Sequence, residues 1–84
     1  VDLGRPWRLH PQVALRDEPF GALAYHYGNR RLIFLRSPDL VRLVRSLERF
    51  DSADAALAAV SPPQRAAYRA ALARLAASGM LDAG

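Results

Sequence analysis

The sequence predicts an α+β domain spanning residues 1–84. It should be winged helix-turn-helix-like, with a three-stranded antiparallel sheet followed by three helices. Three observations lead there. The first third carries short apolar runs separated by turn-forming residues at Pro11, Pro19 and Gly28. Beyond Ser37, apolar residues recur at helical spacing. Helix starts are signalled at Ser37, at Asp51 or Ser52, and at Ser61.

The strands come first. Trp7–Arg16 reads as an extended segment with Leu9, Val13 and Leu15 as its apolar positions, and Pro11 marks an edge or a bend. Asp17-Glu18-Pro19 reads as a break. A second strand is predicted from Ala22 to Tyr27, with Gly28-Asn29 forming a type II′ hairpin in which Gly28 supplies the positive φ. Arg31 to Arg36 returns as a third strand. Alternation sends Leu32 and Phe34 to one face and Ile33 and Leu35 to the other. Sequence alone leaves open which pair meets the core. The continuous apolar run predicts that both faces are covered.

The first helix has Ser37 as N-cap, Pro38 in the first helical position and Asp39 in the first turn. Leu40, Leu43, Val44 and Leu47 make its apolar stripe, with Arg42, Arg45 and Arg49 on the outer side and Phe50 closing it. A short Ala-rich helix follows over 53–60. Ser61 and Gln64 have capping-box spacing before a third helix that ends at Gly79, a natural left-handed C-terminal residue. Met80 and Leu81 should fold back onto the core.

Composition narrows the function. The chain has 84 residues and about half are apolar, which suits one modest core and argues against disorder. It has no cysteine, which removes disulfides, thiolate metal sites and cysteine nucleophiles. No apolar run approaches the roughly 18 residues of a membrane span, and no signal-peptide pattern is visible, so a cytoplasmic protein without membrane contact is expected. The net charge is +4 and all twelve basic residues are Arg. A basic balance favours an acidic partner, and Arg binds carboxylate and phosphate alike. His10 and His26, the only histidines, lack metal-ligand spacing. His26, between Tyr25 and Tyr27, reads as structural, and His10, before Pro11, as shaping a turn. Ser37, Ser52 and Ser61 have capping roles, so no catalytic residue, metal or cofactor is expected.

Trp7-Arg8-Leu9-His10-Pro11, Val13-Ala14-Leu15-Arg16 and Glu18-Pro19-Phe20-Gly21-Ala22-Leu23 resemble the opening of the mycofactocin peptide chaperones, a branch of the PqqD-like recognition domains. Phe34-Leu35-Arg36 leading into Ser37-Pro38 is similar to that family's junction into its first helix, and Leu75 to Leu81 to its C-terminus. The resemblance covers nearly the whole chain. It implies a winged-helix-like fold without catalysis. The leader of a ribosomally made precursor peptide would bind as an added strand against the third strand and rest on the third helix. The precursor would be short and acidic, and a radical S-adenosylmethionine maturase would carry the chemistry.

The residues expected to bind the leader are Arg31, Leu32, Ile33, Phe34, Leu35 and Arg36 on the strand, and Arg65, Tyr68, Arg69 and Leu72 on the third helix. Tyr68, Ala71, Leu72 and Leu75 form one helical stripe, flanked by Arg65 and Arg69, with Arg74 pointing away. Each of these residues also has a plainer reading. The four strand residues suit a core, the arginines a solvated face, and Tyr68 the edge of a core. A winged-helix DNA-binding regulator is the alternative function. The third helix argues against it, being mostly Ala with few residues able to read base edges, and no nucleic-acid partner is expected.

Overall fold

The computed structural model describes residues 1–83. Strands β1 (Trp7–Leu9), β2 (Val13–Glu18), β3 (Gly21–His26) and β4 (Leu32–Leu35) precede the helices α1 (Pro38–Ser46), α2 (Ala53–Ala58) and α3 (Pro62–Ala77), and β5 (Leu81–Ala83) follows. The predicted α+β class holds: β2, β3 and β4 form an antiparallel sheet in that order, and three helices come after it.

The extended stretch expected over 7–16 is two strands. His10, Pro11 and Gln12 turn the chain, with the Gln12 N–H donating to His10 Nδ1 at 3.0 Å and the Val13 N–H to the His10 carbonyl at 2.9 Å. β1 then leaves the sheet and pairs with β5 in a separate two-stranded ribbon that sequence reading did not foresee. Asp17 and Glu18 lie inside β2, so the break tightens to Pro19-Phe20.

The β3–β4 connection also departs from expectation. It is wider than a two-residue turn, and the positive φ falls on Arg30 (62°) rather than Gly28. The cause is His26. Its buried Nδ1 accepts from the Gly28 and Asn29 N–H groups at 2.9 and 3.1 Å, and the Asn29 side chain accepts the Arg31 N–H at 2.9 Å. These bonds organise the loop locally, so His26 is structural, as its sequence setting predicts.

Helix ends follow their sequence signals in two cases of three. Ser37 and Ser52 cap α1 and α2 by accepting the Leu40 and Ala55 N–H groups. The backbone carbonyls of Arg5 and Leu3 accept the next free N–H groups of α2, from Ala53 and Asp54. At α3 the capping box does not close. Pro62 and Pro63 carry no N–H, the Gln64 N–H donates to the Ser61 carbonyl, and the Ser61 hydroxyl donates to the Gln64 side chain. The C-terminus behaves as expected. Gly79 has φ 83°, the Gly79 N–H donates to Ala76 and the Met80 N–H to Leu75, the two bonds of a Schellman end. Met80 and Leu81 are buried, completing a core with Leu35, Val44, Leu47, Leu72 and Leu75.

The tightest backbone contact joins the start of β3 to the end of β4. Gly21 has φ 148°, and a Cβ there would lie 2.0 Å from the Leu35 carbonyl oxygen and 2.9 Å from the Ser37 nitrogen. Gly21→Ala should therefore destabilise the fold by about 2–3 kcal/mol, from strain and the forced shift of β4. Gly4→Ala, where the nearest atom is the Asp2 carboxylate, should stay within about 0.5 kcal/mol of wild type. Urea unfolding of both variants checks this, and equal stabilities would contradict it.

Candidate functional site

The phase of backbone pairing defines what β4 can offer. The His26 N–H donates to the Arg31 carbonyl at 2.9 Å, and the register pairs Ala24 with Ile33 and Ala22 with Leu35. In an antiparallel pair, bonded and non-bonded positions alternate. Ile33 and Leu35 therefore turn their backbone groups toward β3, while Leu32 and Phe34 turn theirs to the outer edge, where no described strand pairs with them.

Burial resolves the question of faces. Leu35 is sealed in the core and Ile33 packs partly against it, whereas Leu32 and Phe34 are 53% and 48% exposed on the opposite face. The expected cover on that face is missing among the described residues. Instead Leu32 and Phe34 join Leu23, Tyr25, Phe20 and Tyr27 in an apolar, aromatic surface. Phe20 meets Phe34 edge to face at 6.1 Å, Tyr25 meets Tyr27 likewise at 5.2 Å, and the Arg36 guanidinium sits 5.5 Å from the Phe34 ring centre. A shallow depression of about 320 Å³ lies here, bounded by Glu18, Phe20, Leu23, Phe34 and Arg36. Exposed apolar area beside an open strand edge is a surface suited to a partner.

α3 is tied to the chain on either side of β4 by two hydrogen bonds. The Tyr68 hydroxyl lies 2.7 Å from Ser37 Oγ just past the end of β4, and the Asn29 amide donates to the Ser78 carbonyl at 3.1 Å just before its start. Tyr68, Ala71, Leu72 and Leu75 face inward, as the predicted stripe requires. Leu72 is fully buried and offers no surface.

The two predicted clamp arginines turn elsewhere. Arg65 donates to the Val60 and Ala58 carbonyls at 2.8 and 2.9 Å, closing the C-terminal end of α2, and Arg69 pairs with Asp54 on α2. By the 3.6-residue period they share the α2 flank of the helix, and Ala67, Ala71 and Arg74 lie on the other flank. Arg74 is exposed and has no ion-pair partner among the described residues. Arg31 and Arg36, also exposed, bracket β4. Elsewhere, the described residues hold no cluster of metal-ligating side chains and no helix long and apolar enough to cross a membrane.

The sequence model of the peptide chaperone MftB family matches residues 6–82. The chain belongs to the peptide chaperone MftB family. It is 50% identical over 80 residues to a peptide chaperone MftB of Mycolicibacterium smegmatis, covering 93% of this chain and 78% of that protein. It is 48% and 45% identical over 82 residues to those of Mycobacterium ulcerans and Mycobacterium tuberculosis, covering 95% of this chain and 75% of each. No solved structure matches. Membership agrees with the resemblance carried by the Trp7–Leu23 opening. The aromatic surface from Phe20 to Tyr27 went unnoticed in the sequence; its signal was the alternation of Leu23, Tyr25 and Tyr27 along β3.

Because Arg65 and Arg69 hold α2, their replacement should appear first as loosening of that helix. Arg65→Ala, which loses two charge-assisted bonds to carbonyls, should lower stability by about 1 kcal/mol, and Arg69→Ala by less. Amide hydrogen exchange checks this: faster exchange confined to α2 is expected, and unchanged α2 protection in Arg65→Ala would refute the assignment.

Proposed function

We propose that this chain is a non-catalytic peptide chaperone of mycofactocin biosynthesis. It takes the acidic leader of a ribosomally made precursor peptide as an added strand on β4 and presents it to a radical S-adenosylmethionine maturase. The observation that carries the reading is the outward backbone of Leu32 and Phe34, unpaired beside α3 in a chain of the peptide chaperone family.

Strand addition uses these groups directly. An extended peptide pairs its backbone with Leu32 and Phe34, and its side chains alternate. Those opposite Leu32 and Phe34 lie on the aromatic surface, and those between them turn inward beside Ile33, Leu35 and the Ala67–Ala71 flank of α3. Small residues on that flank leave room for a strand. Arg31, Arg36 and Arg74 ring this track and suit acidic side chains. Tyr68 holds the helix against the end of β4.

The chemistry belongs to the maturase in this reading. The chaperone raises the local concentration of precursor and orients it, which requires neither metal nor nucleophile. The reading places both proteins in the cytoplasm. A DNA-binding role finds less support. The outward face of α3 is largely Ala66, Ala67, Ala70 and Ala77, and two of its three arginines are occupied by α2.

Phe34 allows the backbone contribution to be isolated. Its N–H points to the open edge, so Phe34→Pro removes a donor the peptide needs while sparing the β3 ladder. Phe34→Ala removes the same ring but keeps the N–H. Calorimetric titration with the leader peptide should show Phe34→Pro binding at least about tenfold more weakly than Phe34→Ala, a loss on the scale of one buried hydrogen bond. Equal affinities in two folded variants would rule out strand addition at this position.

A further inference from the structure

A second cavity, larger than the depression beside Phe34, opens away from it. It lies between α1, the C-terminal end of α2 and the first turns of α3, with a volume of about 600 Å³. Arg42, Arg45 and Arg49, expected from their spacing to form an ordinary outer face of the first helix, all line it. Arg42 and Arg45 are three apart on α1, and Arg49 ends the 3-10 turn of residues 47–49 into which the predicted first helix tightens after Ser46. Asp39 is the one carboxylate in the lining, so basic side chains outnumber acidic ones there. Arg42 pairs with Asp39 and Arg45 with Asp17 at 2.9 Å, both at exposed positions, while Arg49 has no ion-pair partner among the described residues. Exposed pairs of this kind are weak and exchange partners readily.

The other walls mix apolar residues with Ser46, Ser61 and Gln64. Leu43, Phe50 and Val60 line the cavity, and Phe50 and Val60 are only partly buried. Its size is that of a ligand site, and its walls join apolar area to a few fixed polar groups. Guanidinium groups over an apolar floor suit a chain that carries carboxylates next to an apolar side chain. A small inorganic anion would use the arginines alone.

The cavity and the β4 edge are neighbours. Tyr68 lines the cavity, and its hydroxyl is the group that bonds Ser37, two residues beyond the end of β4. Asp39 and Arg42 follow within the next two turns of chain. The end of β4 and the cavity are thus linked through the Ser37–Tyr68 contact.

We infer that this cavity is a second anchoring site for the precursor peptide, holding an acidic segment with an apolar side chain next to its strand-forming stretch. Carboxylates pair with Arg42, Arg45 and Arg49, and the apolar side chain rests on Phe50 and Val60. The inference rests on the strand-addition reading and extends it from one contact to two. Two anchors on one chain multiply affinity through effective concentration and fix the direction in which the peptide lies.

The test titrates the host's full-length precursor peptide into the wild-type chain, into Arg42→Gln/Arg49→Gln and into Phe34→Pro, at low and at high salt. Amide NMR shifts are recorded alongside, and inorganic phosphate serves as a competitor. The arginine variant should bind roughly three- to tenfold more weakly at low salt, with the gap closing at high salt. Wild-type shifts should extend to Phe50 and Val60. Affinity of the arginine variant within twofold of wild type, with binding lost in Phe34→Pro, would overturn the second anchor and leave strand addition standing. Binding lost in the arginine variant but kept in Phe34→Pro would support the cavity as a peptide site and overturn strand addition. Competition by phosphate as effective as that of the peptide's own acidic segment would make this a small-anion site and overturn the inference. No binding of the precursor to the wild-type chain would overturn both readings.

Discussion

β3 is paired on both of its edges, and the candidate binding face follows from that. Tyr25, Leu23 and Gly21 turn their backbone groups to β2, and His26, Ala24 and Ala22 turn theirs to β4. Ile33 and Leu35 are thereby committed to β3, and Leu32 and Phe34 keep open groups. The same alternation places the small residues Ala22 and Ala24 against the core, where the helices press closely, and the large ones, Leu23 and Tyr25, on the outer surface. The core contact and the exposed aromatic face are therefore consequences of one pairing.

α3 is tied to the two ends of that open edge. Its hydrogen bonds through Tyr68 and Ser78 reach Ser37 just after β4 and Asn29 just before it. Gly79 makes the second bond possible. Its left-handed conformation ends α3 at the point where the Ser78 carbonyl meets Asn29, and it then directs Met80 and Leu81 into the core. Gly21 has the matching role at the other end, where its missing Cβ lets β3 approach the Leu35 carbonyl. Gly21 thus sets how closely β3 and β4 approach, while Gly79 and the two polar bonds tie α3 to the ends of β4.

The arginines divide by position rather than by type. Arg65 and Arg69 support α2 by bonding carbonyls and a carboxylate. Arg8 and Arg45 join distant segments through Asp82 and Asp17. Arg31, Arg36, Arg49 and Arg74 have no carboxylate partner among the described residues. The guanidinium fork serves both uses because its several N–H donors can reach neutral carbonyl oxygens as well as carboxylates. A net positive charge alone would not separate the structural arginines from those left for an acidic partner.

Much of this protein was legible from sequence. The Ser37-Pro38-Asp39 start, the Gly79 ending, the helical stripe of Tyr68, Ala71, Leu72 and Leu75, and the structural role of His26 are local effects. Capping, backbone conformation and period act within a few residues, so the sequence carries them whole. The Trp7–Leu23 opening carried the family likeness as well. Other features depended on what the chain met in space. Trp7–Leu9 left the sheet because Leu81–Ala83, far away in sequence, offered a partner. The positive φ moved to Arg30 because the His26 ring captured the loop N–H groups. Arg65 and Arg69 turned to α2 because the carbonyls at its end and Asp54 at its start lay within their reach. Arg42, Arg45 and Arg49 became the wall of a cavity because α3 packed opposite them. Sequence determined the α+β class, the three helices with most of their ends, and the family. The direction each face and each long side chain took was decided only by tertiary packing, because that depends on neighbours far away along the chain.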